Sequence, residues 1–226
     1  MLKVIPAIDI KNNSVVCASQ SNREKYKPIK SILVKGSKPE DIVSALLKTY
    51  AFNTFYIADL DSIISKNINL SIVRQLCERF PLIKFWVDYG ITSTEDFGHS
   101  KSIKNITPVV GTETLENADV LVGRNKSEYL LSLDFNDKKL LGPNSILSQV
   151  ELFPDKVIAM CLHRIGGQRG PDYSLLKKIC RKLMKSQVIA SGGVRNLEDL
   201  SKLEKIGINH VIVSTVLHNG LFIDNL

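Results

Sequence analysis

Val87-Asp88-Tyr89-Gly90-Ile91-Thr92-Ser93-Thr94-Glu95-Asp96-Phe97 and Ala190-Ser191-Gly192-Gly193-Val194-Arg195-Asn196-Leu197-Glu198-Asp199-Leu200 follow one pattern, 103 residues apart. Each closes an apolar run, turns on glycine and opens a helix with acidic residues. Gly90 falls on Gly193, Glu95 on Glu198 and Asp96 on Asp199, and the same offset carries Val109-Val110-Gly111-Thr112 onto Ile212-Val213-Ser214-Thr215. Short-period repeats stack into solenoids, whereas one repeat of about a hundred residues builds a domain from two halves.

Working outward, Val-, Ile- and Phe-rich runs recur near 2–9, 54–59, 82–88, 106–111, 129–135, 156–161, 187–191 and 209–214. Runs of this length, each followed by turn residues, read as strands. Helical patterns alternate with them near 39–51, 68–79, 94–103, 115–125, 145–152, 172–184 and 196–206, with a short one from 216. Ser37 and Pro39 before Glu40-Asp41, Asp172 before the Leu175-Leu176-Ile179-Cys180-Leu183 stripe, and Asn196 before Glu198-Asp199 are helix starts. Eight strand–helix units in this length predict a (β/α)8 TIM barrel. A doubly wound open sheet uses the same alternation, but two similar halves of four strands each favour ring closure. We therefore expect one barrel domain over residues 1–226, with 11–38 as a loop excursion, a lid in character, at the mouth.

Bulk properties narrow the classes of function. The 226-residue chain has 44% hydrophobic and 23% charged residues, ordinary for a globular protein. Pro6 and Asp9 interrupt the first apolar run, which excludes a signal peptide, and no window reaches the ~20 apolar residues of a membrane span. The four cysteines are scattered with no C-x-x-C pair, so thiols in a reducing cytoplasm are expected. A net charge of +7 suits an anionic ligand. The lysines are spread along helix faces, with no aromatic-interleaved basic stretch that would suggest nucleic acid. No metal-ligand spacing occurs, and no cofactor is expected. Oligomeric state and protein partners stay open.

Ligand groups of such barrels stand at the carboxyl ends of the strands. Asp9 and Asp134 end strands 1 and 5, across the ring from one another. Burying a carboxylate there is costly without a task or a partner, and two of them facing one ligand suit acid–base catalysis; holding loop N–H groups is the alternative. Ser191-Gly192-Gly193 after strand 7, with Ser214-Thr215 after strand 8, let backbone N–H groups approach a phosphate. The repeat image, Gly90 with Gly111-Thr112, offers a second phosphate site. There, however, Asp88 stands where Ser191 stands and would repel an anion unless Lys84 or Arg124 offsets it. Arg164 and Arg169 flank Gly166-Gly167 after strand 6 and could clamp an anion, and Asp59 ends strand 2; all three are candidate substrate contacts. His163, His99, His218 and Trp86 carry no spacing that demands a function.

Ile5-Pro6-Ala7-Ile8-Asp9-Ile10, Ala58-Asp59-Leu60-Asp61, Ser132-Leu133-Asp134, Gly170-Pro171-Asp172 and Ser191-Gly192-Gly193-Val194 resemble, in order, the motifs of the HisA/HisF family of two-fold symmetric barrels. The resemblance implies that Asp9 and Asp134 are the catalytic acid and base. It also implies that the loops at Gly192-Gly193 and Gly111-Thr112 hold the phosphates of a ribosyl substrate. HisA performs an Amadori rearrangement of an aminoaldose phosphate; HisF closes an imidazole ring. Met160 and Ile165 stand where HisA has a threonine and an aspartate. Ser214-Thr215 replaces Gly-Arg, and Gln20-Ser21 replaces Gln-Gly. Arg23-Glu24-Lys25-Tyr26-Lys27-Pro28-Ile29, Trp86-Val87-Asp88-Tyr89-Gly90, Gly111-Thr112-Glu113-Thr114 and Leu217-His218-Asn219-Gly220 are similar to a HisA-like subgroup of methanogens and methylotrophs, linked to methanopterin- and methanofuran-type C1-carrier coenzyme biosynthesis. The resemblance implies an isomerase or lyase acting on a phosphorylated sugar-like or heterocyclic molecule. Two alternatives stand beside it: the authentic isomerase of histidine biosynthesis, and a non-catalytic ligand-binding or assembly subunit.

Overall fold

A computed structural model describes residues 2–18, 26–167 and 169–220. Eight parallel strands form the ring: β1 (Lys3–Lys11), β4 (Thr54–Asp59), β5 (Lys84–Asp88), β6 (Ile106–Gly111), β7 (Leu130–Asn136), β9 (Lys156–Cys161), β10 (Gln187–Ser191) and β11 (His210–Val213). Each pairs with its neighbours in that order, and β1 returns to β11 in the register Lys3↔His210 to Pro6↔Val213. The sheet is therefore closed, a (β/α)8 barrel as the alternation predicted, and its strands lie within two residues of the ranges read from apolar runs. Three short strands lie off the ring. β2 (Ser14–Cys17) and β3 (Lys27–Pro28) extend β1 as an antiparallel flap, and β8 (Lys139–Leu140) folds back on β7. The flap forms both flanks of the expected lid; residues 19–25, including Gln20-Ser21 and Arg23-Glu24-Lys25, lie outside the described residues.

Side-chain alternation along each strand separates two cores. Ile5, Tyr56, Trp86, Leu130, Ile158 and Ile189 point inward and fill the barrel. Ile8, Phe55, Phe85, Val110, Leu133 and Val157 point outward and bury against the helices. Those helices are α1 (Pro39–Thr49), α2 (Leu60–Ser65), α3 (Ser71–Arg79), α4 (Tyr173–Lys182), α5 (Leu197–Lys205) and α6 (Thr215–His218). On α4, Leu176 and Ile179 face the barrel while Lys177, Lys178 and Lys182 face water. Asp172 caps that helix by accepting from the Leu175 N–H at 3.0 Å, and Asn196 caps α5 by accepting from the Asp199 N–H at 3.0 Å. At α1 the cap position is Lys38, with no side-chain cap bond from Ser37.

The helices expected near 94–103, 115–125 and 145–152 are only 3-10 turns, over Glu95–Ser100, Asp119–Leu121, Asn144–Ser148 and Val150–Leu152. Gly98 weakens the first by about 1 kcal/mol relative to alanine and Gly123 ends the second, and neither carries a full apolar stripe. Packing supplies what periodicity lacks: Phe97 meets the Tyr129 ring edge-on at 6.0 Å, and the Arg124 guanidinium lies 3.6 Å over its face. Among the described residues no helix is long and apolar enough to cross a membrane.

Candidate active site at the carboxyl end of the barrel

A cavity of about 370 Å³ opens at the carboxyl ends of the strands. Alternation decides what lines it. Further along the same inward phase stand Asp9, Ala58, Asp88, Asp134, Met160 and Ser191, and all six line the cavity. The ladder ties them together: Asp9 pairs with Ala58, Ala58 with Asp88, Asp134 with Met160 and Met160 with Ser191.

One side of the cavity is acidic. Asp134 is buried and heavily bonded. Its Oδ1 accepts from Ser132 Oγ at 2.6 Å and its Oδ2 from the Glu113 N–H at 3.0 Å, while its own N–H donates to Thr112 Oγ1 at 2.9 Å. Asp88 Oδ1 accepts from the Gly90 N–H at 3.0 Å. Between them stands Gly111, where a Cβ would lie 2.9 Å from Asp88 Oδ2 and 3.2 Å from Asp134 Oδ2. The two carboxylates thus converge over a residue that has no side chain to separate them. Glu113 completes this side, and Asp9, half-buried at the end of β1, faces Asp134 from across the ring. Tyr56, on the same cavity, feels it: burial first, then the charges of Asp88, Asp134, Asp9 and Glu113, push its phenol well above the usual range.

The opposite side presents Ser191, Gly192, Gly193, Ser214 and Thr215. Gly192 has φ +99° and Gly193 φ +89°, a region open to glycine at little cost. A Cβ on Gly192 would stand 2.6 Å from Cys161 O, and one on Gly193 2.5 Å from Gly170 O, so only bare backbone fits here. The N–H groups of Gly192, Gly193 and Thr215 donate to no carbonyl among the described residues, which leaves three donors at the cavity wall. Arg195, at the rim, is held by a bidentate pair with Asp199: Nε to Oδ2 at 2.9 Å and Nη2 to Oδ1 at 2.9 Å. Asp199, 1% exposed, also accepts from Tyr173 Oη at 2.8 Å. Burial would raise the Asp199 carboxyl, but the bonds from Arg195 and Tyr173 outweigh it and hold the group below its usual value.

The fold brings Asp9, Asp134, Ser191, Gly192, Gly193, Ser214 and Thr215 to one cavity; it does not bring the remaining candidates there. Gly90 (φ +77°) packs against α2, where a Cβ would stand 3.0 Å from Ile63 Cα. Thr112 is fully buried beneath Asp134, and Gly111 underlies the paired carboxylates, so this half presents acids rather than an open anion cradle. Asp59 points outward, since it alternates with inward Ala58. It caps α2 by accepting from the Ser62 N–H at 3.2 Å and from Ser62 Oγ at 2.9 Å. Arg164 lies 3.9 Å from Asp172 and donates to Arg169 O, and Arg169 is exposed. Neither offsetting cation reaches Asp88: Lys84 begins β5 at its far end, and Arg124 donates to the Val120 and Thr94 carbonyls. Met160 and Ile165 line the cavity as apolar wall.

Sequence reading overlooked Tyr56, Glu113 and Arg195. Tyr56 had a usable signal, being two residues before Ala58 and so in phase with the cavity; Arg195 had another, its i,i+4 spacing to Asp199. Among the described residues no three His, Cys, Asp or Glu side chains are grouped to hold a metal ion.

Comparison with known proteins agrees with this architecture. An uncharacterized protein of Methanocaldococcus jannaschii is 32% identical over 224 residues, covering 97% of this chain and 95% of the relative. A protein of Leuconostoc mesenteroides, named a 1-(5-phosphoribosyl)-5-((5-phosphoribosylamino)methylideneamino) imidazole-4-carboxamide isomerase, is 28% identical, covering 96% of this chain and 94% of its own. A protein of the same name from Halothermothrix orenii is 27% identical, with 97% and 95% covered. The model of the histidine biosynthesis protein family matches residues 3–222, and the chain belongs to that family.

Proposed function

We propose that this protein is a HisA-like isomerase that rearranges a singly phosphorylated aminoaldose, with Asp9 and Asp134 as its acid and base. The observation that carries this is one cavity lined by both aspartates and by the bare-backbone loops at Ser191-Gly192-Gly193 and Ser214-Thr215. Three N–H groups that meet no carbonyl among the described residues suit a phosphate dianion, and anchoring that end positions the reacting carbons between the carboxyl groups. One carboxyl group hands its proton to the ring oxygen, opening the aminoaldose to an imine. The other carboxylate takes the C2 proton, leaving an enolamine that becomes the aminoketose when C1 is protonated and the C2 hydroxyl returns its proton to the carboxylate that opened the ring. Proton number and oxidation level are unchanged overall.

A single phosphate is favoured because Asp88 and Glu113 occupy the side where a second would sit. At ~4 Å two like charges repel by about 1 kcal/mol in water and several at a protein surface. The names of those isomerases specify two phosphoribosyl groups; we therefore propose a different substrate, a precursor of a C1-carrier coenzyme.

A phosphoribosylamine carrying deuterium at C2 tests the chemistry. The wild type should release deuterium to water, while Asp9→Asn and Asp134→Asn, folded by circular dichroism, should not. Release undiminished in both variants refutes the roles of the aspartates. Growth without histidine of a HisA-deficient strain carrying this protein would refute the substrate distinction.

A further inference from the structure

Tyr56 belongs to no motif that marked the site, yet its position is unusual. It is 4% exposed, sits inward on β4 one layer below Ala58, and lines the cavity. Its ladder partners are Ala7 and Trp86, neither of which offers an oxygen side chain. No described residue exchanges a hydrogen bond with its hydroxyl. Buried hydroxyls are ordinarily bonded, because one left without a partner forfeits its bonds to water. Here the hydroxyl is spared that cost only by facing the cavity.

Asp9, Asp88, Glu113 and Asp134 line the same cavity and bear on this phenol. An anionic ligand group placed there would meet four carboxyl groups. An uncharged hydroxyl suits the place, since it can accept from a phenol while donating to a carboxylate. We infer that Tyr56 is a substrate-binding donor whose hydroxyl bonds an uncharged oxygen at the end of a phosphorylated polyol remote from the phosphate. This rests on the phosphate-cradle reading under Proposed function and adds to it the chemistry of the ligand's other end. The high proton affinity of the phenol keeps it a donor across the working pH range. Phosphate alone fills only the cradle, so it leaves Tyr56 untouched.

Full-length protein labelled with 13C at tyrosine Cζ separates the outcomes, with the Tyr56 signal assigned by its absence in Tyr56→Phe. Ribose 5-phosphate should move that signal, and inorganic phosphate should not. In calorimetry, Tyr56→Phe should weaken ribose 5-phosphate by about three- to tenfold, the worth of one neutral hydrogen bond, and leave phosphate affinity unchanged. Binding of ribose 5-phosphate that moves no tyrosine signal overturns the inference, and that outcome is read on the wild type without any variant. Equal affinity in wild type and Tyr56→Phe overturns it as well. Failure of the wild type to bind either compound overturns the cradle reading, and the inference falls with it.

Discussion

Replacing Gly193 by alanine should cost well beyond a glycine substitution made in open space, and the structure says by how much. Gly193 has φ +89°, and a Cβ there would lie 2.5 Å from Gly170 O, 2.7 Å from Gly170 C and 3.0 Å from Pro171 N. All three obstacles are backbone, so no side chain can swing aside. The loops after β9 and β10 must separate by about 1 Å to reach an ordinary contact. The left-handed backbone costs an alanine about 1–2 kcal/mol and overpacking a further 1–3 kcal/mol, or roughly 5–15 °C in melting temperature for a chain of this size. Gly207 supplies the control: its φ is also +89°, but nothing lies within 4 Å of its Cβ position. Gly207→Ala should bear the backbone cost alone and lose about half as much or less. Calorimetry with inorganic phosphate adds a second readout, because moving the loop misdirects the N–H groups of Gly192 and Gly193. Gly193→Ala should weaken phosphate by tenfold or more, and Gly207→Ala should not weaken it. If the two variants melt together and bind phosphate alike, the close approach of these loops is not what holds the cradle.

Two further outcomes concern stability and pH. His218 is buried with Nδ1 3.1 Å from Ser31 Oγ, and burial lowers it from 6.5 to about 4; the unfolded chain then binds more protons between those values. Stability should fall on acidification from pH 6.5 to 4 by up to about 3 kcal/mol, and urea midpoints of His218→Gln should lack that slope. Asp199 is held below its usual value, so its contribution is complete above about pH 4 and lost as pH falls through the folded value. Asp199→Asn should therefore cost about 1–3 kcal/mol at pH 7 and progressively less towards pH 2, as read by denaturant titration at each pH.

The ring of strands was legible because buried parallel strands announce themselves as apolar runs, and the 103-residue echo supplied closure. The helices were legible only where a full stripe met a cap, as at Asp172 with Leu176 and Ile179. Near 94–103 the chain has Phe97 and Ile103 but Gly98 between them; whether such a segment coils depends on Tyr129 and Arg124, which come from elsewhere in the sequence. Within the candidate site, strand ends were read by position but not by phase. Asp9, Asp134 and Ser191 fall in phase with the interior and reach the cavity, whereas Asp59 falls one residue out of phase and caps a helix. The arginines of the strand 6 loop had no pattern to separate clamp from brace. Asp172, which faces Arg164, lies further along the same loop at no helical or strand spacing that would mark the pair.

The two halves keep the same scaffold while their mouths carry opposite chemistry. Asp96 Oδ2 accepts from the Thr92 N–H at 2.8 Å, and Asp199 Oδ2, its repeat partner, accepts from the Arg195 N–H at 3.0 Å. The same turn is therefore fixed by the same bond in both halves, and Gly90 and Gly193 both take positive φ within it. What differs is the inward residue just before the turn. In the second half it is Ser191, whose small hydroxyl leaves the neighbouring N–H groups facing the cavity. In the first it is Asp88, which turns its Oδ1 onto the Gly90 N–H and so occupies the donor that an anion would need. Glu113 then adds a second carboxylate where the repeat has Val216, one residue beyond Thr112 and Thr215 respectively. One substitution thus removes a donor and adds a charge, and both effects act against a second phosphate. The turn need not deform for this to happen, because Asp88 replaces a ligand interaction with an internal one while the backbone keeps its course. A barrel with two like cradles can in this way become polar across its mouth, with N–H donors on one side and carboxylates on the other, by changing side chains on an unchanged frame.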